Sequence, residues 1–233
     1  MSKITRTIFI ITITLVFLVA FSPSYNSLNI DNLAYVVGLG IDLGENEKYK
    51  FSFQFSPKKS SSKSNSSSSS EEDSEQNASS TINTIEASSI DTAINLMNSY
   101  LAKKINLSHC KVVVFSEEVA YNGISDEIYT LTNNSEVRPS TSVVISKSSA
   151  EEYLNNSSPI LENMITKYYE IFPHSSKYTG YIYNATLGDF YSNLVSIDSE
   201  PYAILGGVKN EENSELSQNK ENSISSNNYL NRS

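Results

Sequence analysis

The sequence contains no tryptophan, one cysteine and two histidines, and its 26 acidic residues outnumber its 17 basic residues. Because Cys110 is alone, a domain held together by intrachain disulfide bonds is excluded. His109, Cys110 and His174 are too few to supply the nitrogen and sulfur ligands of a structural zinc site. The formal charge of −9 leaves no basic stripe to bind phosphate, so we expect no nucleic-acid binding.

The amino terminus has the pattern of an export signal. Lys3 and Arg6 precede an apolar run of 14 residues from Ile8 to Phe21, and Ser22-Pro23-Ser24 follows it. This length is typical of a signal-peptide core and is shorter than the ~20 residues that cross a bilayer as a helix. A buried helix of a cytosolic domain fits the charged flank less well. We therefore predict that residues 1–24 are a signal peptide or a membrane anchor and that the remainder is exported.

Two polar segments are predicted to be disordered. Residues 60–80 contain 12 serines in 21 positions, and residues 210–233 carry almost no apolar side chains. Neither segment offers enough apolar surface to offset the conformational entropy lost on folding. The folded domain is therefore expected within residues 25–209, and much of the acidic excess belongs to these polar segments.

The clearest local pattern predicts a β-hairpin at the start of this domain. The apolar run from Leu33 is followed by a turn-rich segment and by residues 49–55, in which four aromatic residues alternate with polar ones. A period of two places alternate side chains on the same face of a strand. We therefore predict two strands, with the four aromatic side chains on one buried face.

The rest of the domain alternates between strand and helix patterns. Such alternation favours an α/β fold, here a mixed sheet in a single exported domain. The periodicity rules predict strands at 81–87, 111–115, 141–145 and 203–208. The first helix follows the strand at 81–87; Ser88 with Asp91 caps it, and its apolar face carries Ile90, Ile94, Met97 and Leu101. The later helices are one around Ile124, Ile128 and Leu131, one capped by Ser148 with Glu151, one from Pro159 to about Phe172 and one at 186–194.

No residue pattern predicts catalysis. Gly38, Gly40 and Gly44 lead into a strand, whereas a phosphate-binding glycine loop opens a helix. His109 and Cys110 are adjacent at the start of a strand, so their side chains are expected on opposite faces and not as a catalytic dyad. We therefore predict a non-enzymatic protein with no catalytic, cofactor or metal site and no identifiable small-molecule site. An exported hydrolase with an unrecognised site is the remaining catalytic alternative.

Three segments together resemble one known family. Residues Ile30 to Asp42 resemble the opening of the C-subunit family of spore germination receptors, the Ger(x)C proteins. Residues Ser108 to Ala120 resemble that family's β-run followed by "EELA", and Glu136-Val137-Arg138-Pro139 resembles its "ExR" segment. The resemblance covers residues 30–208, and the serine-rich insertion falls where the family has a variable loop.

The resemblance implies a role in spore germination. Members of the family are exported lipoproteins on the outer face of the spore inner membrane, where they assemble with a multi-pass A subunit and a transporter-like B subunit that senses nutrients. No catalytic residue carries over from the family. The chain is thus expected to be membrane-associated, with the A and B subunits as its partners.

Two departures from the family affect this expectation. Ser24 occupies the position of the family's lipid-modified cysteine, and a serine cannot receive a thioether-linked lipid. The chain also corresponds only to the family's first domain. A secreted or surface-held binding module of unrelated function and a non-functional truncated paralogue are therefore the alternatives.

Overall fold

The computed structural model describes residues 3–20, 32–56, 80–157, 162 and 164–208. The chain divides into two units, Met1–Asn32 and Leu33–Ser233. Ser24, Pro159 and the predicted disordered segments, apart from Ser80, lie outside the described residues.

The first unit contains helix α1, Lys3–Ala20. Its apolar side chains are exposed from Ile4 to Phe17. The hydroxyl groups of Thr12 and Thr14 donate hydrogen bonds to carbonyls one turn earlier, so they are satisfied within the helix. Within the described residues, no helix is both long and apolar enough to cross a membrane.

The second unit is built on a seven-stranded mixed sheet. The strands are β1 Leu33–Leu43, β2 Tyr49–Phe55, β3 Thr81–Ala87, β4 Lys104–Asn106, β5 Val112–Ser116, β6 Ser142–Ser146 and β7 Ile204–Gly206. Six strands follow the order β3-β2-β1-β5-β6-β7, and β4 pairs with the beginning of β1. The β1–β2 and β2–β3 pairs are antiparallel, and the β1–β4, β1–β5, β5–β6 and β6–β7 pairs are parallel.

Helices cover both faces of the sheet, and each face has its own hydrophobic core. The helices are α2 Ile90–Leu101, α3 Glu117–Asn122, α4 Ser125–Asn133, α5 Ala150–Asn156, α6 Ile165–Ile171 and α7 Leu187–Val195, with a 3₁₀ helix at Phe172–Lys177. Side chains of α2, α3, α4 and α7 pack on one face, and those of α5 and α6 pack on the other. The predicted α/β class with its amino-terminal hairpin is confirmed.

The hairpin is confirmed, but the prediction that it has one buried face is wrong. Tyr49, Phe51 and Phe53 are buried in one core as expected. On the opposite face of β2, Ser52 and Gln54 are also buried, at 0% and 1% exposure. The reason is α5, which packs over this polar face, and Gln54 Nε2 donates a hydrogen bond of 3.2 Å to the carbonyl of Leu154 in α5.

Two glycines of β1 make room for this helix. A Cβ atom on Gly40 would lie 3.1 Å from Leu154 Cδ1 and 3.2 Å from Ala150 Cβ, and one on Gly38 would lie 3.0 Å from Leu154 Cδ2. Gly44 lies in the turn after β1, where a Cβ would clash with the carbonyl of Glu47. Gly38 and Gly40 thus allow α5 to pack closely on β1, and Gly44 allows a tight turn. None of the three opens a helix, as a glycine of a phosphate-binding loop would.

Two helix caps lie one residue later than predicted. Ser89 caps α2 by accepting a hydrogen bond of 3.3 Å from the amide of Thr92, so Ser88 is not the cap. Ser149 likewise caps α5 by accepting from the amide of Glu152 at 3.1 Å, in place of Ser148. In each pair of serines, the hydroxyl of the second accepts the hydrogen bond from the amide three residues later, which is the bond of a capping residue.

The element boundaries differ from the predictions at two further places. The helix that reaches Phe172 begins at Ile165, because Met164 has an extended backbone with a φ of −126°. The short strand β4 was not predicted, since three residues are too few to show a periodic pattern. The other predicted strands and helices are confirmed to within a few residues of their bounds.

Candidate functional site

A polar cleft lies at the carboxyl ends of β1, β5 and β6. The helix after β5, which is α3, packs on one face of the sheet, and the helix after β6, which is α5, packs on the other. Ligands of α/β proteins bind where consecutive helices diverge in this way, outside the carboxyl ends of the strands. The fold therefore marks this cleft as the first candidate site.

The cleft has a volume of about 400 Å³, and acidic side chains outnumber basic ones in its lining. Six of its side chains are carboxylates and two are lysines. The lining residues are Asp42, Leu43, Glu45, Lys50, Glu86, Ser116, Glu117, Glu118, Tyr121, Lys147, Ser148, Ser149 and Glu151.

Asp42 occupies the position at the start of α5 that an anionic ligand would need. Its Oδ1 accepts a hydrogen bond of 2.6 Å from the amide of Ala150, and its Oδ2 accepts one of 3.0 Å from the amide of Glu151. A carboxylate from β1 thus satisfies two of the free amides at the amino end of the helix. The side chain joins β1 to α5 and fills the place where a phosphate could bind.

The protonation of Asp42 reflects its burial. Burial raises the pKa of Asp42 above its ordinary value, and the amides of Ala150 and Glu151 and the charge of Lys50 oppose that rise. The folded state binds the carboxyl proton of Asp42 more tightly than the unfolded state does. The contribution of Asp42 to the free energy of unfolding therefore decreases as the pH rises through its raised pKa. The chain thus keeps a buried carboxylate here to anchor α5 to β1.

Glu86 has the same anchoring role at the other side of the cleft. Its two carboxylate oxygens accept hydrogen bonds of 3.1 Å and 3.0 Å from the amides of Glu45 and Asn46. These bonds, first that from Glu45, lower the pKa of Glu86 below its ordinary value. The side chain therefore ties the end of β3 to the turn between β1 and β2.

We expect the contribution of Glu86 to stability to depend on pH. A carboxylate with a lowered folded-state pKa stabilises the fold above its ordinary pKa, and this contribution disappears as the pH falls through the lowered value. Urea unfolding of the wild type and of Glu86→Gln between about pH 6 and about pH 3 measures the effect. The wild type should be the more stable at the upper pH, and the difference should close toward the lower. A difference independent of pH would show that the charge of Glu86 is not involved.

The remaining charged groups of the cleft divide into paired and free groups. Lys50 Nζ lies 2.6 Å from Glu151 Oε2, and both side chains are about one third exposed. The side chains of Glu45, Glu117, Glu118 and Lys147 make no hydrogen bond or ion pair with the described residues. These four are the charged side chains of the cleft that such bonds do not engage.

The structure also separates His109 from Cys110. The His109 ring packs against the ring of Tyr35, with their centroids 4.6 Å apart. The Cys110 thiol is buried and donates a weak hydrogen bond to the carbonyl of Val112 at 3.4 Å. No hydrogen bond joins the two side chains within the described residues, so they are not arranged as a nucleophile and base pair.

Cys110 is expected to be unreactive while the protein is folded. Burial raises the pKa of the thiol to about 12, so almost no thiolate is present at pH 8. Titration with a chromogenic disulfide reagent should therefore report no accessible thiol in the native protein and one thiol per chain in guanidinium chloride. Rapid reaction of the native protein would contradict the burial of this side chain.

The segments that carried the family resemblance differ in their roles. Glu117 and Glu118 lie in the first turn of α3 and line the cleft. Glu136 instead supports the chain before β5, since its Oε2 accepts a hydrogen bond of 2.9 Å from the amide of Leu107. Within the described part of the chain, no three His, Cys, Asp or Glu side chains are placed to hold a metal ion.

Comparison with known proteins gives one family and one relative. Residues 26–206 match the family model described as "Spore germination protein N-terminal domain". The chain is similar to the protein of Bacillus subtilis (strain 168) named "Putative spore germination protein YfkR", with 25% identity over 122 residues. The match covers 52% of this chain and 30% of that protein, so the chain spans under a third of its relative. No solved structure shows a significant match.

Proposed function

Since the chain belongs to the family of spore germination protein N-terminal domains, we propose that it is a non-catalytic subunit of a nutrient germinant receptor. In this role it assembles with the membrane-embedded A and B subunits and passes or supports the signal that starts germination. The observation that carries the proposal is the family match over residues 26–206, which spans almost the whole folded unit.

Two carboxylates of the cleft serve as anchors within the domain, which supports a scaffold role. The oxygen atoms of Asp42 and Glu86 are engaged by backbone amides of the chain itself. These bonds hold α5 and the hairpin turn in place, as a scaffold domain requires.

We further propose that the chain works outside the cytoplasmic membrane, at the outer face of the spore inner membrane. Lys3 and Arg6 before the apolar residues of α1 favour export. Ser24 stands where the family has its lipid-modified cysteine, so contact with the A and B subunits is the proposed means of retention.

The proposal is tested by fractionation of spores followed by chemical crosslinking. An antibody raised against residues 81–209 should detect the protein in the inner-membrane fraction, and crosslinking should join it to the A and B subunits. In a matched strain that lacks the B subunit, the amount in the membrane fraction should fall. A soluble or vegetative-cell protein, unaffected by loss of the B subunit, would contradict the assembly and would favour a binding module of unrelated function.

A further inference from the structure

Among the described residues, the outer edge of β3 has no partner strand. The strand order places β3 at one end of the sheet, where β2 is its one neighbour within the described part of the chain. No hydrogen bond from elsewhere in the described residues reaches the backbone of Thr81 to Ala87 on that side. Unpaired amides and carbonyls in a row are a template for another strand.

The register identifies which backbone groups face outward. In β2, the amide of Ser56 donates to Tyr35, and the carbonyl of Lys48 accepts from Gly44, so the even-numbered residues bond toward β1. Since backbone groups of an antiparallel strand alternate in direction, the odd-numbered residues of β2 bond toward β3. Phe51 pairs with Ile85, and Phe53 pairs with Asn83. The odd-numbered residues of β3 therefore make its backbone hydrogen bonds to β2. The outward amides and carbonyls are those of Ile82, Thr84 and Glu86.

This edge lacks the features that normally protect an edge strand. It is seven residues long, contains no proline, glycine or lysine, and pairs with β2 without a bulge. Its one charged side chain, Glu86, is turned back onto the β1–β2 turn. The opposite edge, β7, is only three residues long, with Pro201 before it and Gly207 after it. Protection is thus present at one edge of the sheet and missing at the other.

We propose that β3 is a docking edge for an extended, basic strand of another protein, which adds antiparallel to it. Six free backbone groups on Ile82, Thr84 and Glu86 would supply the hydrogen bonds, as in other strand-addition complexes. The net charge of −9 favours a basic partner.

A second copy of this chain fits the edge poorly. Antiparallel self-pairing centred on Thr84 would set Ile82 of one copy opposite Glu86 of the other, at both ends of the contact. Such a pair gains neither an apolar contact nor an ion pair. Two chains of charge −9 also repel each other. The proposal concerns the domain itself and stands apart from assembly with the receptor subunits.

The substitution Thr84→Pro tests the proposal because it removes one outward amide. Thr84 makes no backbone bond to β2, so the inner ladder is retained, and proline is tolerated where an edge amide faces solvent. Thr84→Ala is the matched control, since it changes the side chain and keeps the amide. Unchanged amide spectra outside β3 would verify that both variants fold.

The probes are short synthetic peptides of alternating threonine and valine with lysine at the ends, and the same peptides with glutamate in place of lysine. Titrated into the ¹⁵N-labelled full chain, the lysine peptides should shift the amides of Ile82, Thr84 and Glu86. Affinity should fall about tenfold or more with Thr84→Pro or with the glutamate peptides, and should be unchanged with Thr84→Ala. Absence of shifts in these amides at millimolar peptide, or equal binding by Thr84→Pro, would overturn the proposal. Sedimentation that shows a wild-type dimer dissociated by Thr84→Pro would also overturn it and would assign the edge to a second copy.

Discussion

Replacing Gly40 with valine should destabilise the folded domain by about 3 kcal/mol, because the new side chain has no room under α5. A Cβ at this position would already lie within 3.2 Å of Leu154, Ala150 and Ser52. Valine adds two more methyl groups to that contact, and the helix must move away from β1 to accept them. Movement of α5 would also lengthen the two hydrogen bonds from its amides to Asp42.

Urea unfolding of the full chain measures this effect, with Gly180→Val as the matched control. A Cβ on Gly180 meets no atom within 4 Å, so the same substitution there should change the free energy of unfolding by less than about 0.5 kcal/mol. Similar midpoints for Gly40→Val and the wild type would mean that α5 does not pack closely on β1. The anchoring of α5 at the edge of the cleft would then be contradicted as well.

The second large effect is expected for Gln54→Leu, at about 3 kcal/mol of lost stability. Gln54 Oε1 accepts a hydrogen bond of 2.9 Å from the Tyr169 hydroxyl, and its Nε2 donates to the Leu154 carbonyl. Leucine has a similar volume but can make neither of these bonds, nor the bond of 2.9 Å that Nε2 donates to the Ser80 hydroxyl. A buried polar group without a partner costs about 1–3 kcal/mol.

A double-mutant cycle separates the hydrogen bond from the packing. Tyr169→Phe removes the hydroxyl whose bond to Gln54 is lost in Gln54→Leu, so the double variant should be less destabilised than the sum of the single variants. The difference should be on the order of 1 kcal/mol. Additive effects would show that Gln54 and Tyr169 are not coupled across the face of the sheet.

The local patterns of the sequence were sufficient for much of the fold. The alternation at residues 49–55 predicted β2, and the spacing of Ile90 and Met97 predicted α2, because both patterns arise from contacts within a few residues. The caps were misplaced by one residue at Ser88 and Ser148. Two adjacent serines offer the same hydroxyl, and only the backbone geometry selects between them.

The burial of the polar face of β2 depends on residues distant in the chain. Ser52 and Gln54 alternate with aromatic residues and were therefore expected to face solvent. Their burial depends on α5, and Gln54 bonds to Leu154, one hundred residues later. A single strand carries no signal for which helix will cover its second face.

The candidate cleft was not predicted for the same reason. Asp42 contacts the start of α5 across 108 residues, and Glu86 contacts the hairpin turn across about 40. Glu117 and Glu118 were noted as part of the family resemblance, and their position directly after β5 was the one local signal for the site. Placement at the carboxyl ends of parallel strands follows only once the strand order is known.

The central claim, a role in starting germination, is tested most directly by the kinetics of nutrient-triggered dipicolinate release from spores. Deletion of this chain, in a strain with no second copy, should delay or abolish release. Expression of the wild type or of Gly180→Val should restore it, whereas Gly40→Val should not. Normal release after the deletion would contradict the account.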